Sequence, residues 1–597
     1  MVGLKWIVRW RRAGWAAAMI LAAGAAHAQA GPEAVFPPAL PALPDAAPLP
    51  GHRPLSGAAS LPGAARLPGA SPLSGLAPAG ELSAQADDGP ADEAAPPGES
   101  TQGEAPAAPA EPAAAGAPGA LGPNPADPAP PVGSATPSAP PAASALPQGL
   151  PPELQQAWKK TGLPLSSLSL VVRQIDGPGL VSINAAQPRN PASVMKLVTT
   201  WAALAELGPG YVWRTELLAD PGVRPDAKGA LAGPLYLRAG GDPQMTLTDM
   251  WSLLRELRLR GIRQIPDLVV DRSIFGDVGI DTGAFDGAAD RPYNASPDAL
   301  MVGFGAMRLI FLPEPATRTW RPVMDPPLPG VTLEGRVEWS DVRCPGPPVV
   351  GTQPLVTAQG VTVRLSGKVA GSCGEFSLYR LALEQPAFSA AVIRHLWQEL
   401  GGTMTGRVRA GKVPPDAVLL AAHESPPLGD VIRTINKRSN NVMARTVLLT
   451  LGAERGARPA TVQGAGMVAR TVLARQGLPM PELNIENGSG LSRTGAVSAA
   501  SLAQLLDVAW HSPLMPEFVS SLAIAGVDGT VRRRLRGNPA RGQAHLKTGS
   551  LRDVRAIAGY VMGESGRRYL VVSLVNHEQA AAVRSFDDAL VAWLSTR

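Results

Sequence analysis

The sequence predicts an α+β fold: an antiparallel sheet, drawn from both ends of the folded region, packs with helices and is interrupted by a large strand-rich insertion. Three observations predict it. Leu168–Gln174 and Leu180–Asn184 read as a strand pair around the turn Asp176-Gly177-Pro178-Gly179. Ala544–Ser550, Ala556–Met562 and Arg568–Asn576 read as successive antiparallel strands, followed by a helix from about Gln579 to Leu594. Between these groups lie helical patterns: an apolar run introduced by Pro191 and ended by Gly208-Pro209, and the pair Leu428–Lys437 and Asn441–Leu451.

Taken in order, the chain begins with an address. Lys5, Arg9, Arg11 and Arg12 precede an apolar run from Ala13 to Ala26, and Ala26-His27-Ala28 offers small residues at the cleavage positions. Residues 1–28 therefore read as a signal peptide cut after Ala28, too short and alanine-rich for a spanning anchor, and the expected location is the periplasm. From 29 to 148 the chain is Pro, Ala and Gly with scattered acids; 28 of the 63 prolines fall between residues 31 and 150. Too few large apolar side chains are present to offset chain entropy, so this segment reads as a disordered linker. The remainder is too long for one ordinary core. Segments 149–214 and 414–597 are expected to form one domain around an insertion at 215–413, whose expected strands are Val269–Phe275, Val331–Trp339 and Gly360–Val369.

Charge divides along the same lines. The net +5 contains +4 from the signal peptide and −9 from the linker, leaving +10 for residues 149–597. A basic exported surface suits peripheral association with an anionic envelope. Nucleic acid is a poor partner, because Arg532, Arg533, Arg534 and Arg536 form one local run without aromatic interleaving or a zinc pattern. The seven His are dispersed without ligand spacing, so neither metal nor cofactor is expected. The two cysteines, Cys344 and Cys373, are expected to pair in an oxidising compartment.

The chemistry is carried by three short motifs in a fixed order: Ser193-Val194-Met195-Lys196, Ser439-Asn440-Asn441 and Lys547-Thr548-Gly549. Each is weak alone; Ser182-Ile183-Asn184 also fits the second pattern. Lysine scarcity strengthens the set. Only nine of the 54 basic residues are Lys, two of them stand in the motifs, and Lys437 precedes Ser439 by two positions. Arginine would serve a solvated basic face equally well, but guanidinium does not deprotonate, whereas a buried ammonium can. Ser193 opens a helix with Lys196 one turn on, and the helix N-terminus directs backbone N–H groups toward any oxyanion formed there. For Lys196 to take the Ser193 proton, a lysine's reference pKa of about 10.4 must fall to roughly 7 to 8, which needs desolvation and a neighbouring cation. Lys547 can be that cation and can hold a substrate carboxylate with the Thr548 hydroxyl, while Gly549 permits close backbone approach. Ser439 can relay the proton and Asn441 can hold a peptide carbonyl.

In these motifs residues 149–597 resemble the class C low-molecular-mass penicillin-binding proteins, the D-alanyl-D-alanine carboxypeptidase/endopeptidase family. Further segments share the resemblance: Ala239-Gly240-Gly241-Asp242-Pro243, Ser273-Ile274-Phe275, Asn487-Gly488-Ser489-Gly490-Leu491-Ser492-Arg493 and Ala525-Gly526-Val527-Asp528-Gly529-Thr530. The long gap between the first two motifs also resembles that family. The resemblance implies a transpeptidase-like sheet, an acyl-enzyme on Ser193, an oxyanion hole from the N–H groups of Ser193 and Ser550, peptidoglycan stem peptides as substrates and β-lactam antibiotics as acylating ligands. Asn440 and Asn487 depart from it, standing where the family pattern has Asp; the second departure removes a secondary charge contact. Two other readings stay open at this point: a serine β-lactamase and a non-catalytic peptidoglycan-binding protein.

Overall fold

The computed structural model describes residues 149–357 and 360–597. The signal-peptide and linker readings, 1–28 and 29–148, lie outside the described residues. A six-stranded antiparallel sheet runs in the order Gly179–Ile183, Leu168–Gln174, Arg568–Asn576, Val554–Met562, Ala544–Leu551, Ala523–Ile524. Its centre pairs opposite ends of the chain, with Val171 opposite Val572 and Val572 opposite Ala558.

Strand alternation sends side chains to two different cores. Leu168, Leu170, Val172, Val571 and Ile557 pack beneath the Pro152–Lys159 and Arg584–Ser595 helices, where Trp158 meets Phe586 edge to face at 5.0 Å. Val171, Leu570, Val572 and Ala558 face the Met195–Leu207, Leu428–Arg438 and Asn441–Arg455 helices. Burial on both faces explains why these strands read as continuous apolar runs rather than as polar-apolar alternation. Among the described residues, no helix is long and apolar enough to cross a membrane.

Asp587, wholly buried behind this sheet, receives the Ser573 hydroxyl at 3.0 Å. Burial pushes its carboxyl up to about 7, against an opposing influence from Arg534. Because the folded value lies above the ordinary carboxylate range, its contribution to stability is full below about pH 4 and is lost as the pH rises toward 7. Asp587→Asn keeps an acceptor for Ser573 and removes the titration. The variant should exceed the parent by roughly 2 to 4 kcal/mol at pH 8, the gap closing toward pH 4. Thermal unfolding across that range checks this; a pH-independent gap would refute it.

At Arg214 the chain passes to a separate sheet. A five-stranded sheet follows, ordered Val408–Ala410, Leu268–Asp271, Leu235–Arg238, Arg214–Ala219, Val418–Glu424. Its last strand returns the chain to the Leu428–Arg438 helix. Three expected strands differ from what is found. Val269–Phe275 ends at Asp271, whose carboxylate accepts the Ser273 N–H at 2.9 Å and turns the chain. Val331–Trp339 divides into Val331–Gly335 and Glu338–Ser340, and Gly360–Val369 into Gly360–Ser366 and Lys368–Ala370. Both break at glycines with positive φ, Gly335 at 81° and Gly367 at 119°, where the paired strands pass together from one sheet to the next. Beyond the strands expected in 215–413, this stretch also holds two helices, Leu247–Leu259 and Gln385–Glu399. The first carries a legible signal, a capping box between Thr246 and Asp249. Cys344 and Cys373 form a disulfide with Cα atoms 4.9 Å apart.

Candidate active site

Ser193 lies in a 3-10 turn, Ala192–Val194, that runs into the Met195–Leu207 helix. Ala192 has φ 45°, an uncommon conformation for a side chain with a Cβ. Asn190 holds the turn there. Its Oδ1 accepts the Ala192 N–H at 2.9 Å, while its backbone exchanges two 2.9 Å bonds with the Asn576 side chain at the end of a central strand. The Ser193 turn is thereby tied to the sheet. Neither asparagine was singled out from sequence, since nothing local distinguishes it from an ordinary turn residue.

Lys196 projects from the first turn of the helix and is fully buried. Its Nζ lies 2.9 Å from Ser193 Oγ, 2.7 Å from Asn441 Oδ1 and 2.6 Å from the Ser489 carbonyl oxygen. The first two contacts join the first and second motifs. The third comes from a backbone group that the sequence reading did not assign, in the segment Asn487–Arg493. That loop sits directly on the Ser193 turn: a Cβ on Gly490 would lie 1.9 Å from the Ala192 carbonyl oxygen, and Gly490 has φ 77°. Asn487 forms the loop itself, accepting from both the Ser489 N–H and hydroxyl and donating to Leu491 O. The departure from Asp thus supplies an amide donor that a carboxylate lacks.

Ser439 terminates the Leu428–Arg438 helix in the left-handed conformation, φ 57° and ψ 33°. Asn440 then caps the next helix, its Oδ1 accepting the Met443 N–H at 3.0 Å, a bond that Asp would also make. Pinning the chain on both sides aims Ser439 Oγ at Lys547 Nζ, 2.9 Å away. Lys547 is fully buried on strand Ala544–Leu551, and the Thr548 hydroxyl lies 2.7 Å from that of Thr530. Lys437 spans the same junction, its Nζ 2.7 Å from Asp528 and 2.8 Å from Leu522 O. A Cβ on Gly549 would lie 2.5 Å from Pro191 O and 3.1 Å from Ser193 N, so only glycine lets this strand run against the Ser193 turn. The adjacent Ser550 is half-buried on the same strand.

The three motifs therefore meet in one place. Ser193, Lys196 and Asn441 form one hydrogen-bonded group; Ser439, Lys547 and Thr548 form the next, with Gly549 between them and Ser193. Residues 152–597 match the D-Ala-D-Ala carboxypeptidase 3 (S13) family. The chain belongs to that family. It is a serine-type D-alanyl-D-alanine carboxypeptidase by that membership. Among its relatives is the D-alanyl-D-alanine carboxypeptidase of Actinomadura sp. strain R39, 29% identical over 445 residues, covering 71% of this chain and 80% of the relative. The D-alanyl-D-alanine carboxypeptidase DacB of Haemophilus influenzae is 27% identical over 392 residues, covering 64% and 80%. The crystal structure of penicillin binding protein 4 (dacB) from Haemophilus influenzae superposes with a TM-score of 0.62 at 25% identity, covering 74% of this chain and 99% of that one. The α+β class expected from the sequence is that of this S13 relative.

Other segments of the family resemblance lie away from the motifs. Gly240, Ser273, Ile274 and Phe275 border a cavity of about 790 Å³ between the insertion and the far end of the Asn441–Arg455 helix. Gly241, with φ 77°, leaves room for the Phe275 ring, and Ile274 O and Gly276 N exchange bonds with Ala460. These segments fasten the 273–276 turn to the loop after that helix. Among the described residues, no cluster of three or more His, Cys, Asp or Glu could hold a metal.

Proposed function

We propose that this S13 enzyme hydrolyses peptidoglycan stem peptides ending in D-Ala-D-Ala through an ester on Ser193, and that β-lactams acylate the same hydroxyl. One observation carries the assignment of the base. Among the groups around Lys196 Nζ, Asn441 Oδ1 and Ser489 O can only accept, whereas the Ser193 hydroxyl can donate. A neutral amine gives its N–H groups to the two carbonyls and turns its lone pair to the Ser193 proton. Full burial of Lys196 favours that neutral form.

The steps follow. Lys196 takes the Ser193 proton as Oγ attacks the penultimate D-alanine carbonyl carbon, and the N–H groups of Ser193 and Ser550 receive the oxyanion. The C–N bond breaks, and the proton held on Lys196 passes through Ser439 to the departing D-alanine amine, leaving Lys196 neutral again. Lys547 and Thr548 hold the substrate's terminal carboxylate. Asn441 retains an N–H for the substrate carbonyl, since its Nδ2 carries two hydrogens and gives one toward Tyr293 O at 3.3 Å. Water then cleaves the ester, its proton returning through Lys196. The insertion at 215–413 contributes to this site through Tyr293. Export to the periplasm by the 1–28 leader and peripheral envelope association belong to the same reading, as does endopeptidase action on cross-links.

The name of the Haemophilus relative, a penicillin binding protein, supports the β-lactam part. A β-lactamase needs a placed base to drive water onto the acyl-enzyme, and no motif here assigns the extra glutamate that class A enzymes use. D-alanine should be released from a pentapeptide ending in D-Ala-D-Ala, while a penicillin adduct on Ser193 lasts minutes or longer by intact-protein mass spectrometry. Rapid turnover of penicillin without D-alanine release would favour the β-lactamase. Incubation with cross-linked muropeptide dimers, read by the same method, measures the endopeptidase share.

A further inference from the structure

Arg445 follows Asn441 by one turn on the Asn441–Arg455 helix, so both project from one face. It is 5% exposed. Its Nη1 donates to Ala295 O at 2.8 Å and to Tyr293 O at 3.4 Å, both backbone carbonyls of the insertion, and its buried Nε has no partner. A buried guanidinium bonded to carbonyls rather than to a carboxylate keeps its charge at the cost of desolvation, which lowers its pKa to about 10. Asn441 Nδ2 reaches the same Tyr293 O at 3.3 Å, while Asn441 Oδ1 holds Lys196. A continuous set of contacts thus runs from Lys196 through Asn441 and Tyr293 O to Arg445.

We infer that Arg445 is a positioning residue for acylation: it fixes the insertion's 292–295 turn so that Tyr293 O orients the Asn441 amide, and its buried charge favours the neutral amine at Lys196. The insertion is then a working part of the site. This inference rests on Lys196 being the base. The ionisable groups beside this set of contacts are Lys196, through Asn441, and Glu486 from the loop ahead of Asn487, while Lys547 lies beyond Ser439 on the sheet side. The insertion adds Tyr293, whose hydroxyl bonds Asp286, with Asp290 and Arg291 beside it. Glu486 is the charge that opposes Arg445, and it is exposed and engaged by the Ser492 and Thr494 hydroxyls.

The test is the pH dependence of penicillin acylation from pH 5 to 9, measured on the purified protein with thermal unfolding alongside. Arg445→Gln retains a donor for the carbonyls and loses the charge. Its acid limb should move up by about 0.5 to 1 pH unit, because the protonated lysine is no longer disfavoured. Arg445→Lys, which keeps the charge, should leave the limb near the parent's. Glu486→Gln removes the opposing charge and should move the limb to lower pH, a reading that stands even where Arg445→Gln does not fold. A folded Arg445→Gln with an unmoved limb, or Glu486→Gln without a downward shift, overturns the inference while leaving the base assignment intact. Near-normal acylation by Lys196→Arg overturns both.

Discussion

Replacing Ser193 by alanine is expected to abolish covalent labelling by a fluorescent penicillin while leaving the unfolding temperature within a few degrees of the parent's. The hydroxyl is half-buried and makes one side-chain bond, to Lys196, so its loss removes the ester-forming atom without opening the core. Persistent labelling at the parent's rate would sink the assignment of the nucleophile. Lys196→Arg sharpens the result. It keeps a positive charge but cannot accept a proton, and acylation at neutral pH should fall by about 10³-fold or more, on the scale of losing a base that activates its nucleophile. The larger head must also fit a fully buried site, so circular dichroism and thermal unfolding accompany the kinetics. A folded Lys196→Arg variant with near-normal acylation places the base elsewhere.

Gly490→Ala is expected to have the second largest effect, although the residue bears no functional group. With φ 77°, the added Cβ would lie 1.9 Å from the Ala192 carbonyl oxygen and 2.5 Å from its carbon. Those are backbone atoms of the nucleophile turn, and no side-chain rotation relieves the contact. The loop must lift, taking the Ser489 carbonyl away from Lys196 Nζ. Acylation should fall by about 10²-fold and stability by roughly 2 to 4 kcal/mol, combining left-handed strain with overpacking. Gly477→Ala is the control. It shares a positive φ, 75°, but its Cβ would meet nothing within 4 Å, so it should lose only about 1 kcal/mol and keep its acylation rate. Equal kinetic losses in both variants would show that backbone strain, not loop displacement, is being measured.

The sheet strands near both termini were legible because their signal is local. Arg568–Asn576 has its expected bounds, and Ala544–Leu551 and Val554–Met562 differ from expectation by one or two residues. Apolar runs bounded by turn residues do not depend on what they pack against. The helices on either side of Ser439 were legible for the same reason, and they place that serine in the connection between them. In the insertion, local reading lost ground where paired strands bend together at Gly335 and Gly367, because that break depends on a neighbour distant in sequence.

The sequence by itself determined which side chains to assign to the proposed chemistry, Ser193, Lys196, Ser439, Asn441, Lys547 and Thr548, because residue type and spacing express what a side chain can donate, accept or titrate. Tertiary structure alone decided how they are held. Lys196 is oriented by the Ser489 carbonyl and Asn441 by the Tyr293 carbonyl, and every residue offers the same backbone carbonyl, so neither contact leaves a mark in sequence. The Asn190–Asn576 exchange spans 386 positions, and the Thr548–Thr530 contact depends on a loop brought in by Lys437 and Asp528. Such contacts exist only once the chain has folded, because the fold brings together groups whose local sequence gives no reason to meet.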